Sequence, residues 1–582
     1  MIIEEIQSIV QKAAENVGIT EQVMINIPTQ KQFGDFVTNI ALKSAKTLKK
    51  KPADIAQELV NNIPKNDLIT ETKIIGPGFI NFWINASINF DVAKKIAENV
   101  FDIPSFHFGP EKKVMVEFAH PNTLKLLHIG HMRNLSTGEA VVRLLEATGN
   151  KVVRSNYQGD VGLHIAKTIW KIRQVVKEMG DQKIDALSLR DKIALLGKAY
   201  AEAETSYGSD ENAKKEILEI NRMVYEEDPN VMPLWEKTRK WSLQYFEEIY
   251  KRVYSHHDRL YFESEFHRRG TVLSHELLKK GVLEKSQGAI VFNGKKYGVD
   301  TRVFINSLGL PTYEGKELAL AEKEFNEFGN LDKNIHVVTP GQTSFFQITF
   351  KVEEIIDPAK YKGKQYHLAY NWVKLKKGKM SSRLGNVIEG SWLIDEAKRK
   401  LTETFKLDEN TAEILAVASI KYSFLKVSPQ IEIFFDFDES ISLEGNSAPY
   451  LIYTYVRTQS VLNKNNNLKL VYPEERREIR NLNSNLKFSN FKLNQTEEEG
   501  MLLRKISQYT STVHETTVRL SPNILATYLF ELAQDFNLFY QKNPILKAEG
   551  EKRTTRLVLT KSVRNIIRHG LNLLGIKTVE KM

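Results

Sequence analysis

The sequence predicts an α/β fold: a parallel sheet with a helical insertion, preceded by an α+β unit and followed by an all-helical one. Three observations predict it. First, the apolar run Val114-Met115-Val116-Glu117-Phe118 is followed by helically spaced Leu135, Ala140, Val141, Leu144, Leu145 and Thr148, then by Gly149 and a second strand over 151–155. Strand, helix and strand in so short a stretch read as a βαβ unit. Second, 582 residues exceed what a single core serves and predict three or four domains. Third, from about residue 386 onward the spacing is helical, broken by asparagine-rich stretches at 463–467 and 481–494 that read as loops.

Taken in order, the first unit covers residues 1–108. It opens with an acidic amphipathic helix (Ile2, Ile6, Ile9, Ala13, Val17) stopped by Gly18, so no secretory signal is expected. A lysine-bearing helix is predicted around 36–50, and a hairpin over 72–84 turns at Gly76-Pro77-Gly78. The second unit, 109–385, holds the parallel sheet. A charged helical stretch between about 165 and 261, with Ile169, Ile172, Val176 and Met179 in register, is read as an insertion between its halves. Strands are expected again at 289–292, 299–304 and 335–338. In the third unit, 386–582, Ser521-Pro522 predicts an N-cap and a first-position proline. The stripe Leu525, Tyr528, Leu529, Leu532, Phe536 and Phe539 behind them is structural core.

Composition narrows the partners. Zero cysteines exclude disulfides and thiolate metal sites and argue against zinc, so no protein-held metal is expected, and a reducing cytoplasm suits the chain. No apolar run reaches 18 residues, which predicts no membrane association. The 82 basic and 72 acidic side chains leave a charge of +10, permitting a polyanionic partner without requiring one.

Two segments carry the chemistry. His128-Ile129-Gly130-His131 stands where the chain leaves the carboxyl edge of the sheet and enters the helix, the place where nucleotides bind. Gly130 permits close approach to backbone, the helix start offers unpaired N–H donors, and two imidazoles can donate to phosphate. A histidine pair that merely caps the helix is the plainer alternative. Far downstream, Lys379-Met380-Ser381-Ser382-Arg383 sets small hydroxyl residues and cations between glycines, suiting a cationic lid over a triphosphate. The preceding lysines 374, 376 and 377 read as a solvated loop.

At these residues the chain resembles the class I aminoacyl-tRNA synthetases, whose HIGH and KMSKS signatures match 128–131 and 379–383, with Ser382 at the fourth KMSKS position in place of lysine. Within that class it is similar to the arginyl-tRNA synthetases. Residues 116–125, VEFAHPNTLK, resemble that family's VEFSSPNIAK, and Asn156 to Gly162 resemble its NHxGDWG with Val161 for tryptophan. Tyr313 and Glu317 match TYxxxD with glutamate for aspartate, and Gly341-Gln342 matches a glycine–glutamine pair after a strand. The resemblance implies a Rossmann-like catalytic domain, a tRNA-contacting N-terminal domain and an anticodon-binding C-terminal domain. It also implies ATP-dependent activation of L-arginine, transfer to tRNA, Mg²⁺ accompanying ATP, dependence of activation on bound tRNA, and a cytoplasmic monomer.

It further implies catalytic roles for Lys125, His128, Gly130, His131, Lys379 and Arg383. Nucleotide contacts fall to His128, Gly130, His131, Lys379, Met380, Ser381 and Ser382. Substrate contacts fall to Glu117, His120, Pro121, Asn122, His131, Tyr313, Glu317 and Gln342. Physical chemistry supports arginine separately: a planar five-donor cation needs carboxylates and a flat wall, which Glu117, Glu317 and Tyr313 can supply. Such a site rejects lysine by about 10⁴ to 10⁵ without editing. An idle tRNA-binding paralogue would lose the histidines, and a cysteinyl-type enzyme would keep zinc-binding cysteines; neither fits.

Overall fold

The computed structural model describes the chain apart from residues 1, 29, 99–108, 330, 377–387 and 472–494, and the side chains of 31 and 466–471. The N-terminal unit comprises α1 (Ile2–Asn16), β1 (Phe36–Thr38), α2 (Ile40–Leu48), α3 (Pro52–Asn62), β2 (Ile69–Ile75) and β3 (Phe79–Ile84), with strand order β1-β3-β2. The hairpin is as the sequence predicts. The helix expected over 36–50 begins only at Ile40, because Phe36–Thr38 is drawn out to pair with β3. This unit has its own core, from Ile6 to Ile84. Helix α4 (Ala86–Glu98) leaves it and packs on the C-terminal helices, where Ser562 and Asn565 donate to its Ala93 and Ile96 carbonyls.

Next come β4 (Lys113–Glu117), α5 (Ile129–Ala147), β5 (Lys151–Gln158), α6 (Leu163–Met179), α7 (Asp181–Asp185), α8 (Leu189–Ser209), α9 (Glu211–Tyr225), α10 (Met232–Arg252), β6 (Arg259–Phe262) and α11 (Glu263–Lys279). The chain continues through β7 (Glu284–Ser286), β8 (Ala289–Phe292), β9 (Arg302–Ile305), α12 (Tyr313–Glu327), β10 (Lys333–Val338), α13 (Thr343–Ile356), α14 (Pro358–Tyr361) and β11 (Gln365–Ala369). The parallel sheet has the order β11-β10-β4-β5-β6 among the described residues. Its strand order reverses between β4 and β10, so a crevice opens at their carboxyl ends. Helices α6 to α10 are the expected insertion.

Two expectations about strands need correction. Residues 289–292 and 299–304 do not return to the main sheet; β8 and β9 form a separate antiparallel sheet with β7. The main sheet is completed by β6 and β11, which the sequence reading passed over because both carry polar residues inside short runs.

Among the described residues the remainder is helical apart from β12 (Val373–Leu375) and β13 (Ile433–Phe435), which pair with each other in parallel. The helices are α15 (Gly390–Phe405), α16 (Glu409–Leu425), α17 (Phe437–Ile441), α18 (Ala448–Val471), α19 (Glu497–Ser507), α20 (Tyr509–Val518), α21 (Pro522–Lys542) and α22 (Gly550–Leu573). Asparagines 463–467, expected in a loop, lie within α18; a helix anchored by buried Leu451, Ile452 and Tyr455 carries weak helix formers along. Residues 481–494 lie outside the described residues. Helix α21 starts at Pro522 as predicted and buries the whole expected stripe, but Ser521 Oγ donates to Arg519 O (2.9 Å) instead of capping it.

Candidate active site

Strand β4 presents Glu117 and then turns through a strained loop. Ala119, His120 and Leu124 adopt φ of 81°, 48° and 62°, costing L-residues about 1–3 kcal/mol each. Buried acceptors hold them. Ala119 N–H donates to Asn134 Oδ1 (2.6 Å), His120 N–H to Asn156 Oδ1 (3.1 Å) and Leu124 N–H to Ser242 Oγ (2.9 Å). Asn134 also donates to Val337 O (2.7 Å), tying the loop to β10. Asn122 bridges to Gly159 after β5, where a Cβ would stand 2.2 Å from Asn122 Oδ1. That glycine exists to let the loop approach.

At the start of α5 the capping reading of the histidines is realised through one nitrogen of each ring. His128 Nδ1 accepts from Gly130 N–H (3.1 Å), and His131 Nδ1 accepts from His128 N–H (3.1 Å), with ring centroids 3.8 Å apart. A nitrogen that accepts carries no proton, so each neutral ring bears its hydrogen on Nε2 and keeps one donor for a ligand. Burial holds both neutral: it takes His128 down to about 4, with Lys125 adding to the effect, and holds His131 well below its usual value. Gly130 is needed by the cap itself, since a Cβ there would lie 2.9 Å from His128 Cε1.

Beside this helix start, between β4 and β10, lies a cavity of about 480 Å³. It brings together Glu117, His120, Asn122, Tyr313, Glu317 and Gln342, all predicted, with Tyr157, Glu263, Arg302, Phe345 and Phe346. Pro121, buried in the loop, and His131 do not line it. Tyr313 is 61% exposed at the head of α12, while Glu317 one turn on is 4% exposed, so the two are not a solvated surface pair. Lys316 Nζ sits 4.6 Å from the Tyr313 ring and 2.8 Å from Glu263 Oε2. Glu314 Oε1 is 3.9 Å from Arg302. Glu117 and Glu317 are therefore the cavity carboxyls without a lysine or arginine partner among the described residues. Desolvation pushes Glu117 up to about 8 and Glu317 well above the usual range, the latter also raised by Glu117. Desolvation holds His120 down at about 4. A buried pair of acids beside aromatic walls suits a permanent cation.

The sequence reading missed what stands behind Glu117: His336 Nδ1 lies 3.1 Å from its Oε1. The signal was present as polar residues at alternate positions, Asn334 and His336 in β10 and Gln365 and His367 in β11, where a buried parallel strand is normally apolar.

Lys125 reaches toward the insertion, its Nζ 4.4 Å from the Tyr200 ring on α8. Lys379, Met380, Ser381, Ser382 and Arg383 lie outside the described residues. Their flanks are placed. Upstream, the exposed Lys374 pairs with Glu432 (2.7 Å). Downstream, Ile129 N–H donates to Ile388 O (2.9 Å) and Gly390 N–H to Leu127 O (2.8 Å), so the chain returning from 379–383 is bonded to the histidine segment.

Three family models match the chain: the catalytic domain of class I (R) tRNA synthetases at residues 101–436, the DALR anticodon-binding domain at 451–582, and the arginyl-tRNA synthetase N-terminal domain at 1–84. A relative from Fusobacterium nucleatum, named arginine–tRNA ligase, is 30% identical, with 99% of each chain covered. One from Halothermothrix orenii with the same name is 29% identical over 100% of this chain and 99% of its own. In fold, the chain matches the Thermus thermophilus arginyl-tRNA synthetase structure with a TM-score of 0.82 at 23% identity, covering 100% of both. The crevice geometry and these full-length matches agree: the chain belongs to the arginyl-tRNA synthetase family of class I.

Proposed function

We propose that this chain, an arginine–tRNA ligase by family, activates arginine in the crevice between β4 and β10, with Glu117 and Glu317 seating the guanidinium. The observation that carries this reading is that pair of buried acids, without a lysine or arginine partner among the described residues, beside a helix start with two imidazole donors. Tyr313, Phe345 and Phe346 supply flat surface, while His120, Asn122, Gln342 and the Tyr157 hydroxyl are polar groups for the amino-acid end. Pro121 acts by shaping the loop. ATP enters as its magnesium complex, whose metal neutralises phosphate charge. The arginine carboxylate attacks the α-phosphorus, pyrophosphate departs, and the terminal ribose hydroxyl of tRNA then takes the activated carboxyl. His128 and His131 donate through Nε2–H, and Lys125, Lys379 and Arg383 meet the phosphates, so catalysis is positioning and charge stabilisation without a covalent nucleophile.

The proposed division of labour assigns 1–108 to tRNA contact, 109–385 with its insertion to catalysis and 386–582 to the anticodon. Action as a monomer in the cytoplasm completes the proposal, the cysteine-free composition suiting a reducing compartment. Aminoacylation with total tRNA and each of the twenty amino acids tests the reading: arginine alone should be charged, and charging of another amino acid, or none, would remove it. His131→Ala should reduce charging while tRNA binding stays nearly unchanged, at a stability cost of about 1 kcal/mol for the lost cap.

A further inference from the structure

Behind the guanidinium seat lies a layer of titratable groups with no part in that mechanism. His336, wholly buried, shares one rung of the sheet with Glu117 on β4 and His367 on β11. Its Nδ1 is 3.1 Å from Glu117 Oε1 and its Nε2 is 3.0 Å from Gln365 Oε1. The amide of Gln365 is oriented by donation of its own Nε2–H to Glu353 Oε2 (2.7 Å). Its carbonyl oxygen therefore meets His336, whose Nε2 must carry a hydrogen. The Nδ1–Oε1 contact then has two solutions with the same heavy-atom positions. Either a neutral imidazole accepts from a Glu117 carboxylic acid, or an imidazolium donates to its carboxylate.

The groups around the ring decide which is populated. They are Glu117 on β4, His120 in the loop after it, Glu317 and Glu324 on α12, Glu353 on α13 and His367 on β11. Burial lowers both neighbouring imidazoles, leaving them neutral, and raises all four carboxyls, Glu117 and Glu353 to about 8. The charge of Glu117 also raises Glu324 beside it. Burial thus favours the protonated form of these acids. A guanidinium keeps its own proton and requires an ionised acid.

We propose that His336 receives the proton of Glu117 when arginine seats: the Glu117 O–H bond breaks, the Nδ1–H bond forms, and a carboxylate–imidazolium pair replaces an acid–imidazole pair without release of that proton to solvent. His336 is a positioning residue, since it lies behind Glu117 and does not line the cavity. The inference rests on the reading of Glu117 as part of the guanidinium seat.

Nuclear magnetic resonance of the full chain, labelled at histidine, tests it at neutral pH. Saturating arginine should turn one imidazole cationic, and citrulline, its neutral isostere, should turn none; the signal is assigned by its loss in His336→Asn. Calorimetry in buffers of different ionisation enthalpy should show His336→Asn releasing about one more proton per arginine than the unsubstituted chain. Arginine that binds with no imidazole becoming cationic would overturn the proposal, and that spectrum needs no variant. Equal proton release by the two proteins would overturn it as well. Arginine that binds equally well to Glu117→Gln would instead defeat the seat itself, a separate result.

Discussion

At the scale of single residues, the site depends on side chains that each serve two neighbours. His128 and His131 spend one nitrogen on the helix, and in the proposed mechanism the other donates to the nucleotide. Gly159 has no side chain because Asn122 occupies its space; Gly159→Ala should displace that loop and raise the arginine KM about tenfold, near 1.4 kcal/mol. Steady-state kinetics with an unchanged KM would show that Asn122 does not contact arginine. Among the cations, Lys379→Ala should impair arginine activation far more than Lys377→Ala, as read by the same kinetics, if only the former meets pyrophosphate. Glu117 was legible because a carboxyl inside an apolar strand demands a reason. His336, Tyr157 and Glu263 were not, since long-range strand pairing alone sets His336 behind Glu117 and brings Tyr157 and Glu263 to the cavity wall.

At the scale of elements, Arg133 binds α5 to the β12–β13 pair. Its guanidinium, 1% exposed, donates to five carbonyls: Asn371 (2.6 Å), Trp372 (3.0 Å), Ser428 (3.3 Å), Pro429 (3.1 Å) and Ile431 (2.8 Å). Burial lowers its pKa to about 10, still leaving it charged at neutral pH. Arg133→Met should lower the unfolding free energy by about 3–5 kcal/mol, because buried carbonyls lose their donors together; urea denaturation checks this, and a change below about 1 kcal/mol would show water replacing the fork. Periodicity located α5, yet it could not reveal this role. Nearly every side of the helix is buried, so no polar stripe singles out Arg133. The same limit hid β6 and β11, whose polar residues pair inside the sheet.

At the scale of the whole molecule, one buried lysine joins the catalytic and C-terminal regions. Lys421 on α16 donates to Val253 O (2.7 Å), beneath Gly575, where a Cβ would stand 2.7 Å from its Nζ. Burial lowers its pKa from 10.5 to about 7, opposed in part by Glu139. Between those values the unfolded chain binds more protons than the folded one, so this residue's contribution makes stability rise with pH from about 7 toward 10.5. Denaturation across that range should show the slope in the unsubstituted protein and its loss in Lys421→Met; equal slopes would show that Lys421 stays charged throughout. Local pattern was sufficient to place the strand–helix–strand unit, the hairpin, the helical insertion and the family's motifs, because each depends on the spacing of near neighbours. Which strands flank β4, which acids gather behind Glu117 and where residues 388–390 return to the histidines came only from tertiary packing. Parallel strands pair across hundreds of residues, and a carboxyl's charge state is set by the company that pairing brings it.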